Sequence, residues 1–164
     1  MAEVYISIGS NVDAQNNIKA DLSTLKNQFG DLTLSPIYQN TAIGFDGDDF
    51  INLVVGLTTE LSIIELVDSL HQIEAAQGRN RESAKFSPRT LDMDLLLYDQ
   101  ECFDSPQVSI PRDEITKYAF VLQPLFDLIP DFIHPSLNVS IKSLWEDFDK
   151  QNLQMTEISL TPIS

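Results

Sequence analysis

The sequence is short of positive charge. Ten Lys and Arg stand against twenty-five Asp and Glu among 164 residues, a formal net charge of −15. A duplex-binding surface needs a positive footprint to displace counterions from phosphates, so this balance argues against a DNA-binding protein. Adhesion to anionic membranes is disfavoured for the same reason. Cysteine is almost missing. The single Cys102 cannot form an internal disulfide, which fits a reducing, cytoplasmic location. Long apolar runs are lacking too. None approaches the ~18 residues of a membrane span, and the start, Met1-Ala2-Glu3-Val4, has neither the basic nor the apolar region of a secretory leader. Two histidines and one cysteine, far apart, make a poor zinc set. No Gly-x-x-x-x-Gly-Lys-Ser/Thr run and no kinase-type Gly-x-Gly-x-x-Gly run occurs. Any phosphate binding must therefore fall to side chains.

What remains is a globular composition, 43% hydrophobic and 21% charged, which rules out a disordered chain. The length suits a single domain over residues 1–164, with 154–164 read as an extra strand or a tail. Val4 to Ile8 reads as a strand ended by Gly9-Ser10-Asn11. Ile18, Leu22, Leu25 and Phe29 recur at helical spacing before Gly30. A strand is expected from Leu32 to Tyr38, a loop from Thr41 to Asp49, and a strand from Phe50 to Thr59. Ser62 and Glu65 form a capping box for a helix whose apolar stripe is Ile63, Leu66, Val67, Leu70 and Ile73. Leu91 to Tyr98 reads as a strand, and short helices follow near Tyr118–Leu128 and Ile141–Phe148. The order β-α-β-β-α-β predicts an α+β, ferredoxin-like (split βαβ) antiparallel sheet with a helical C-terminal extension.

The few cations are not spread evenly. All four arginines, Arg79, Arg81, Arg89 and Arg112, lie within 34 positions, and the segment from Arg79 to Arg89 carries a local charge of +3. It leads straight into Asp92 and Asp94. Residues two apart on a strand share a face, so these carboxylates project together, about 6.5 Å apart at their bases. Met93, Leu95 and Leu97 then point into the core. Such a pair suits magnesium, which takes one or two carboxylates plus substrate phosphates. A bare Asp-x-Asp is equally the solvated face of a half-buried strand. Arginine forks match phosphate oxygens, and a basic loop beside two carboxylates would serve a polyphosphate. Phe50 and Asn52 share a strand face and could stack on and bond a flat heterocycle, with Phe120 and Phe86 as further stacking candidates, although core packing explains any one Phe as well. His71 and His134 read as structural.

Tyr5-Ile6-Ser7-Ile8-Gly9-Ser10-Asn11, Phe50-Ile51-Asn52, Glu74 with Gly78-Arg79-Asn80-Arg81, and above all the run Ser87-Pro88-Arg89-Thr90-Leu91-Asp92-Met93-Asp94-Leu95 resemble the 6-hydroxymethyl-7,8-dihydropterin pyrophosphokinase family. The likeness continues through Ile110-Pro111 and Phe120 to Leu125 and covers roughly residues 3–150. It implies transfer of pyrophosphate from ATP to the pterin hydroxymethyl group, releasing AMP, in folate biosynthesis. It also implies two Mg2+ ions on Asp92 and Asp94, with Arg79 and Arg89 gripping the triphosphate. His71, Glu74, Arg81, Lys85, Phe86, Ser109 and Arg112 would line the ATP side. Thr41, Ile43, Gly44, Phe50, Asn52 and Phe120 would line the pterin side. The partners implied are small molecules only, ATP and the pterin, and a monomer is expected. An alternative is a relative that binds pterin or nucleotide without turnover, or with altered specificity. The chain departs from the family pattern at Phe86, usually a tryptophan. It also departs at Arg112, Asp113 and Tyr118, which replace a histidine, an aromatic or proline, and an arginine.

Overall fold

A computed structural model describes residues 1–10, 14–40, 50–76, 92–150 and 155–158. Strand β1 (Ala2–Ser10) is followed by helix α1 (Ala14–Phe29), strands β2 (Thr33–Leu34), β3 (Ile37–Asn40) and β4 (Phe50–Thr59), helix α2 (Ile63–Ala76) and strand β5 (Asp92–Tyr98). A small hairpin, β6 (Phe103–Asp104) with β7 (Ser109–Ile110), leads into helices α3 (Glu114–Lys117), α4 (Ala119–Leu128) and α5 (Ile141–Asp147). Strand β8 (Met155–Ile158) lies in the stretch expected to hold a strand or a tail. The main sheet runs β5-β1-β4-β3-β8, with β2 also on β4, and its pairs are antiparallel. That order, with two helical crossovers, is the split βαβ arrangement that the sequence predicts.

Alternation along the strands divides the sheet into two faces. Val4, Ile6, Ile8, Leu53, Val55, Met93 and Leu95 bury one face together with Ile18 and Leu25 of α1 and Leu66 and Leu70 of α2. The other face carries Val54, Leu96 and Leu97 beneath Ile115, Leu122, Leu125 and Ile141 of the C-terminal helices. Leu97 was expected beside Met93 and Leu95, and the structure moves it. Tyr5 pairs with Leu97 but Ile6 with Leu95, so a bulge at Leu96 turns Leu97 to the second face.

The capping box forms as expected. Ser62 N–H donates to Glu65 Oε1 at 3.0 Å, and Glu65 N–H donates to Ser62 Oγ at 3.2 Å. The strand expected from Leu32 to Tyr38 is broken into β2 and β3. Pro36 has no N–H for a ladder, and Ser35 takes over the local pairing. Ser35 N–H donates to Val54 O, and Ser35 Oγ accepts from Val54 N–H at 2.8 Å. The hairpin β6–β7 and helix α3 were not anticipated, because segments this short carry no periodicity to read. Tyr38 hydroxyl donates to Asp127, tying β3 to α4. His134 is structural, as expected: its Nδ1 accepts from Ser136 and Leu137 N–H groups at 3.2 and 3.1 Å.

Candidate active site

The acid pair forms on the second sheet face. Asp92 and Asp94 are partly buried on β5, while Met93 between them is buried on the opposite face. The register extends this row across the sheet. Asp92 lies beside Gly9, Gly9 beside Asn52, and Asn52 beside Tyr38. Asp94 lies beside Ser7 in the next row. Asn52 is 5% exposed, and its side chain passes over Gly9. A Cβ at Gly9 would sit 2.5 Å from Asn52 Oδ1, closer than real Cβ atoms come. The glycine in this strand is therefore what lets Asn52 lie toward the acid pair.

Glu74 supports the pair from the other side. It projects from α2, is 1% exposed, and its Oε2 accepts the Met93 N–H at 3.1 Å. Since β5 ends the strand order, this bond satisfies a backbone donor at the sheet edge and fixes the residue between the two aspartates. His71 lies partly buried one turn earlier on the same helix.

Arg112 arrives from the segment after β7. Its backbone N–H donates to Leu96 O at 3.2 Å, which holds it alongside β5. Its Nη2 lies 3.7 Å from Asp94 Oδ1, and its Nε donates to Glu114. Burial alone lowers the pKa of this guanidinium, but Asp94, Glu114 and Asp92 more than offset that and raise it. Asp113 pairs with Lys117 at 3.3 Å along the helix. Tyr118 stacks on Phe120 with ring centroids 5.0 Å apart and an 18° angle between planes. Phe120 lies in the first turn of α4, which packs on β4 and β3, while Phe50 opens β4 on the same face as Asn52. Ser109 is exposed on β7.

The structure thus brings Asp92, Asp94, Asn52 and Arg112 to one sheet face, with Glu74 behind it. Arg79, Arg81, Lys85, Phe86 and Arg89, together with Thr41, Ile43 and Gly44, lie outside the described residues. Two hard carboxylate donors on one strand face fit a magnesium site completed by substrate phosphates. Among the described residues no group of three metal-binding side chains competes with them, and no helix is long and apolar enough to cross a membrane. Gly9 was read as part of the turn that ends the first strand, but β1 runs on through Ser10 and the glycine lies inside its ladder. Asp21 went unread although it had a signal, three residues after Ile18 and four before Leu25, on the buried face of α1.

Residues 5–130 match the family model described as 7,8-dihydro-6-hydroxymethylpterin-pyrophosphokinase. The chain is 37% identical over 136 residues to the 2-amino-4-hydroxy-6-hydroxymethyldihydropteridine pyrophosphokinase of Pseudomonas aeruginosa, covering 80% of this chain and 83% of that one. It is 33% identical over 143 residues to the protein of the same name from Haemophilus influenzae, covering 85% and 89%. The folic acid synthesis protein fol1 of Schizosaccharomyces pombe is 31% identical over 92% of this chain, which spans only 21% of that longer protein. A crystal structure of Plasmodium falciparum HPPK-DHPS shares the fold, with a TM-score of 0.69 at 14% identity over 89% of this chain and 43% of that one.

Proposed function

The chain belongs to the 7,8-dihydro-6-hydroxymethylpterin-pyrophosphokinase family, and on that premise we propose how its residues divide the work. It is an ATP-dependent pyrophosphokinase of folate biosynthesis that transfers pyrophosphate to 6-hydroxymethyl-7,8-dihydropterin. The acceptor oxygen bonds to the β-phosphorus of ATP as the bond to the α,β-bridging oxygen breaks, so AMP leaves and the hydroxyl proton is released. Asp92 and Asp94 would hold two magnesium ions. Magnesium, when bound, neutralises triphosphate oxygens and lowers the pKa of the acceptor hydroxyl. Arg79 and Arg89 grip the triphosphate, with Arg81 and Lys85 as neighbouring cations and Phe86 on the ATP side. Ser109 and Arg112 meet the nucleotide, and His71 and Glu74 support that side. Phe50 and Phe120 sandwich the pterin ring, Asn52 reads its polar edge, and Thr41, Ile43 and Gly44 line the pocket. Fixed groups of this kind suit phosphoryl transfer, where positioning and charge neutralisation supply most of the catalysis.

The observation that carries this reading is the shared row of Asp92, Gly9 and Asn52, with Asp94 and Arg112 beside it. It sets two carboxylates next to an amide able to orient a heterocycle, which supports the reading. The test is AMP release from ATP and hydroxymethyldihydropterin with Mg2+. Asp94→Ala is expected to abolish turnover, and full activity in that variant would overturn the metal assignment. Pterin binding without AMP release in the wild type would favour the non-catalytic alternative.

A further inference from the structure

Arg112 has two acidic partners, and they differ in kind. Glu114 is two residues away on its own segment and accepts from Nε. Asp94 belongs to the acid pair, and at 3.7 Å it is an ion-pair partner rather than a hydrogen-bond partner. The Arg112 and Asp94 side chains are 29% and 26% exposed, so solvent screens them less than it screens open surface charges. Asp92 adds to the negative field on the same guanidinium. Without a divalent cation, Asp92 and Asp94 repel each other on one strand face, and Arg112 offsets that repulsion. With a divalent cation present, the same guanidinium faces a like charge of twice its own.

We propose that Arg112 is a resident counter-ion of the Asp92/Asp94 pair, displaced when a divalent cation binds, and that Glu114 receives the guanidinium as it leaves. This rests on the assignment of the acid pair as the cation site. The backbone bond to Leu96 anchors Arg112 beside β5, so only the side chain needs to move. The guanidinium N–H groups that turn away from Asp94 become available to anionic oxygens arriving with the cation. Cation and polyphosphate binding are therefore coupled through one side chain, and such coupling is reciprocal.

The test is Mn2+ titration of the full chain without nucleotide, followed by electron paramagnetic resonance of the free ion. Arg112→Gln is expected to bind Mn2+ about tenfold more tightly than the wild type, a typical size for a coupling of this kind. Arg112→Lys, which keeps the charge, is expected to stay near the wild type. Glu114→Gln removes the receiving acid and is expected to weaken Mn2+ binding by about threefold to tenfold. In the Arg112→Gln background the Glu114 change should lose most of its effect, because it acts through the guanidinium. Equal affinity in the wild type and Arg112→Gln overturns the proposal, and full additivity of the two changes overturns the role given to Glu114. Asp94→Asn separates this from the reading beneath it. If Asp94→Asn leaves Mn2+ binding intact, the cation site itself is misassigned. If it abolishes binding while Arg112→Gln changes nothing, the counter-ion inference alone fails. Circular dichroism of each variant shows that it is folded.

Discussion

Asp21 sits where the core of α1 should be apolar. It is fully buried between Ile18 and Leu25, and neither carboxyl oxygen has a hydrogen-bond partner among the described residues. Burial, and then the charge of Glu74, pushes its pKa up from 3.8 to about 8. The folded protein therefore holds a proton here that the unfolded chain gives up above pH 4. Stability from this group is complete below the unfolded pKa and is lost progressively as pH rises toward the folded one. At pH 7 the unfolded chain gains about 4 kcal/mol by ionising, roughly three units at 1.36 kcal/mol each. At pH 5 the same arithmetic gives between about 1 and 2 kcal/mol.

Asp21→Asn has nearly the same shape and cannot ionise in either state. Its buried amide keeps a desolvation cost of about 1–3 kcal/mol. The protonated carboxyl of the wild type bears a similar cost, so the two largely cancel and the expected gain at pH 7 is up to about 4 kcal/mol, or about 8–16 °C in Tm for a chain of this length. The sharper readout is the slope. Urea unfolding at pH 5, 6, 7 and 8 should show the wild type losing about 1.4 kcal/mol per pH unit relative to the variant up to pH 7, and less between pH 7 and 8 as the folded carboxyl begins to ionise. His134, whose pKa is lowered by burial, acts with the opposite sign, but it is common to both proteins and cancels in the difference. Parallel stability curves for the wild type and Asp21→Asn would refute the reasoning, whichever protein is the more stable.

Two further substitutions probe the site. Gly9→Ala puts a Cβ 2.5 Å from Asn52 Oδ1 and must push that amide aside. The KM for the pterin is expected to rise about tenfold, the loss of about 1.4 kcal/mol of binding, with the KM for ATP nearly unchanged; an unaltered pterin KM would remove Asn52 from the recognition surface. Glu74→Ala leaves the Met93 N–H without its acceptor at 3.1 Å, whereas Glu74→Gln keeps an oxygen there. The alanine variant is expected to need several-fold more Mg2+ for half-maximal rate, and the glutamine variant to restore it, since an orphaned buried donor costs about 1–3 kcal/mol and frees the strand between the aspartates. Matching Mg2+ curves for the alanine variant and the wild type would show that the bond does not orient the pair.

What could be read from the sequence was local. The Ser62–Glu65 box and the Asp92/Asp94 spacing depend on neighbours three and two residues away, and both formed as expected. The strand order followed from the alternation of elements, because crossover rules leave few alternatives. What failed depended on contacts distant in sequence. Leu97 changed face because of a bulge against Tyr5, which no period-2 pattern reveals. The break at Ser35–Pro36 had its signal in the proline, but its cure lies at Val54, 19 residues away. The partners of Arg112 were beyond spacing altogether. They follow from its backbone bond to Leu96, 16 residues earlier, which sets the guanidinium over a strand already carrying two acids.

That placement also answers the charge problem posed by the composition. A chain at −15 with acids at 113 and 114 looks hostile to a triphosphate. The segment is nevertheless neutral within itself: Arg112 engages Glu114, and Lys117 engages Asp113. The exposed Lys117–Asp113 pair adds little to stability, as surface pairs do. Its consequence is electrostatic, because it turns Asp113 toward a cation on its own helix. Charges farther away are screened beyond about 8–10 Å at ordinary salt, so most of the acid excess is not felt at the site. The field that a polyphosphate meets is set by the few groups on the Asp92/Asp94 face, and there the guanidinium of Arg112 is already in place.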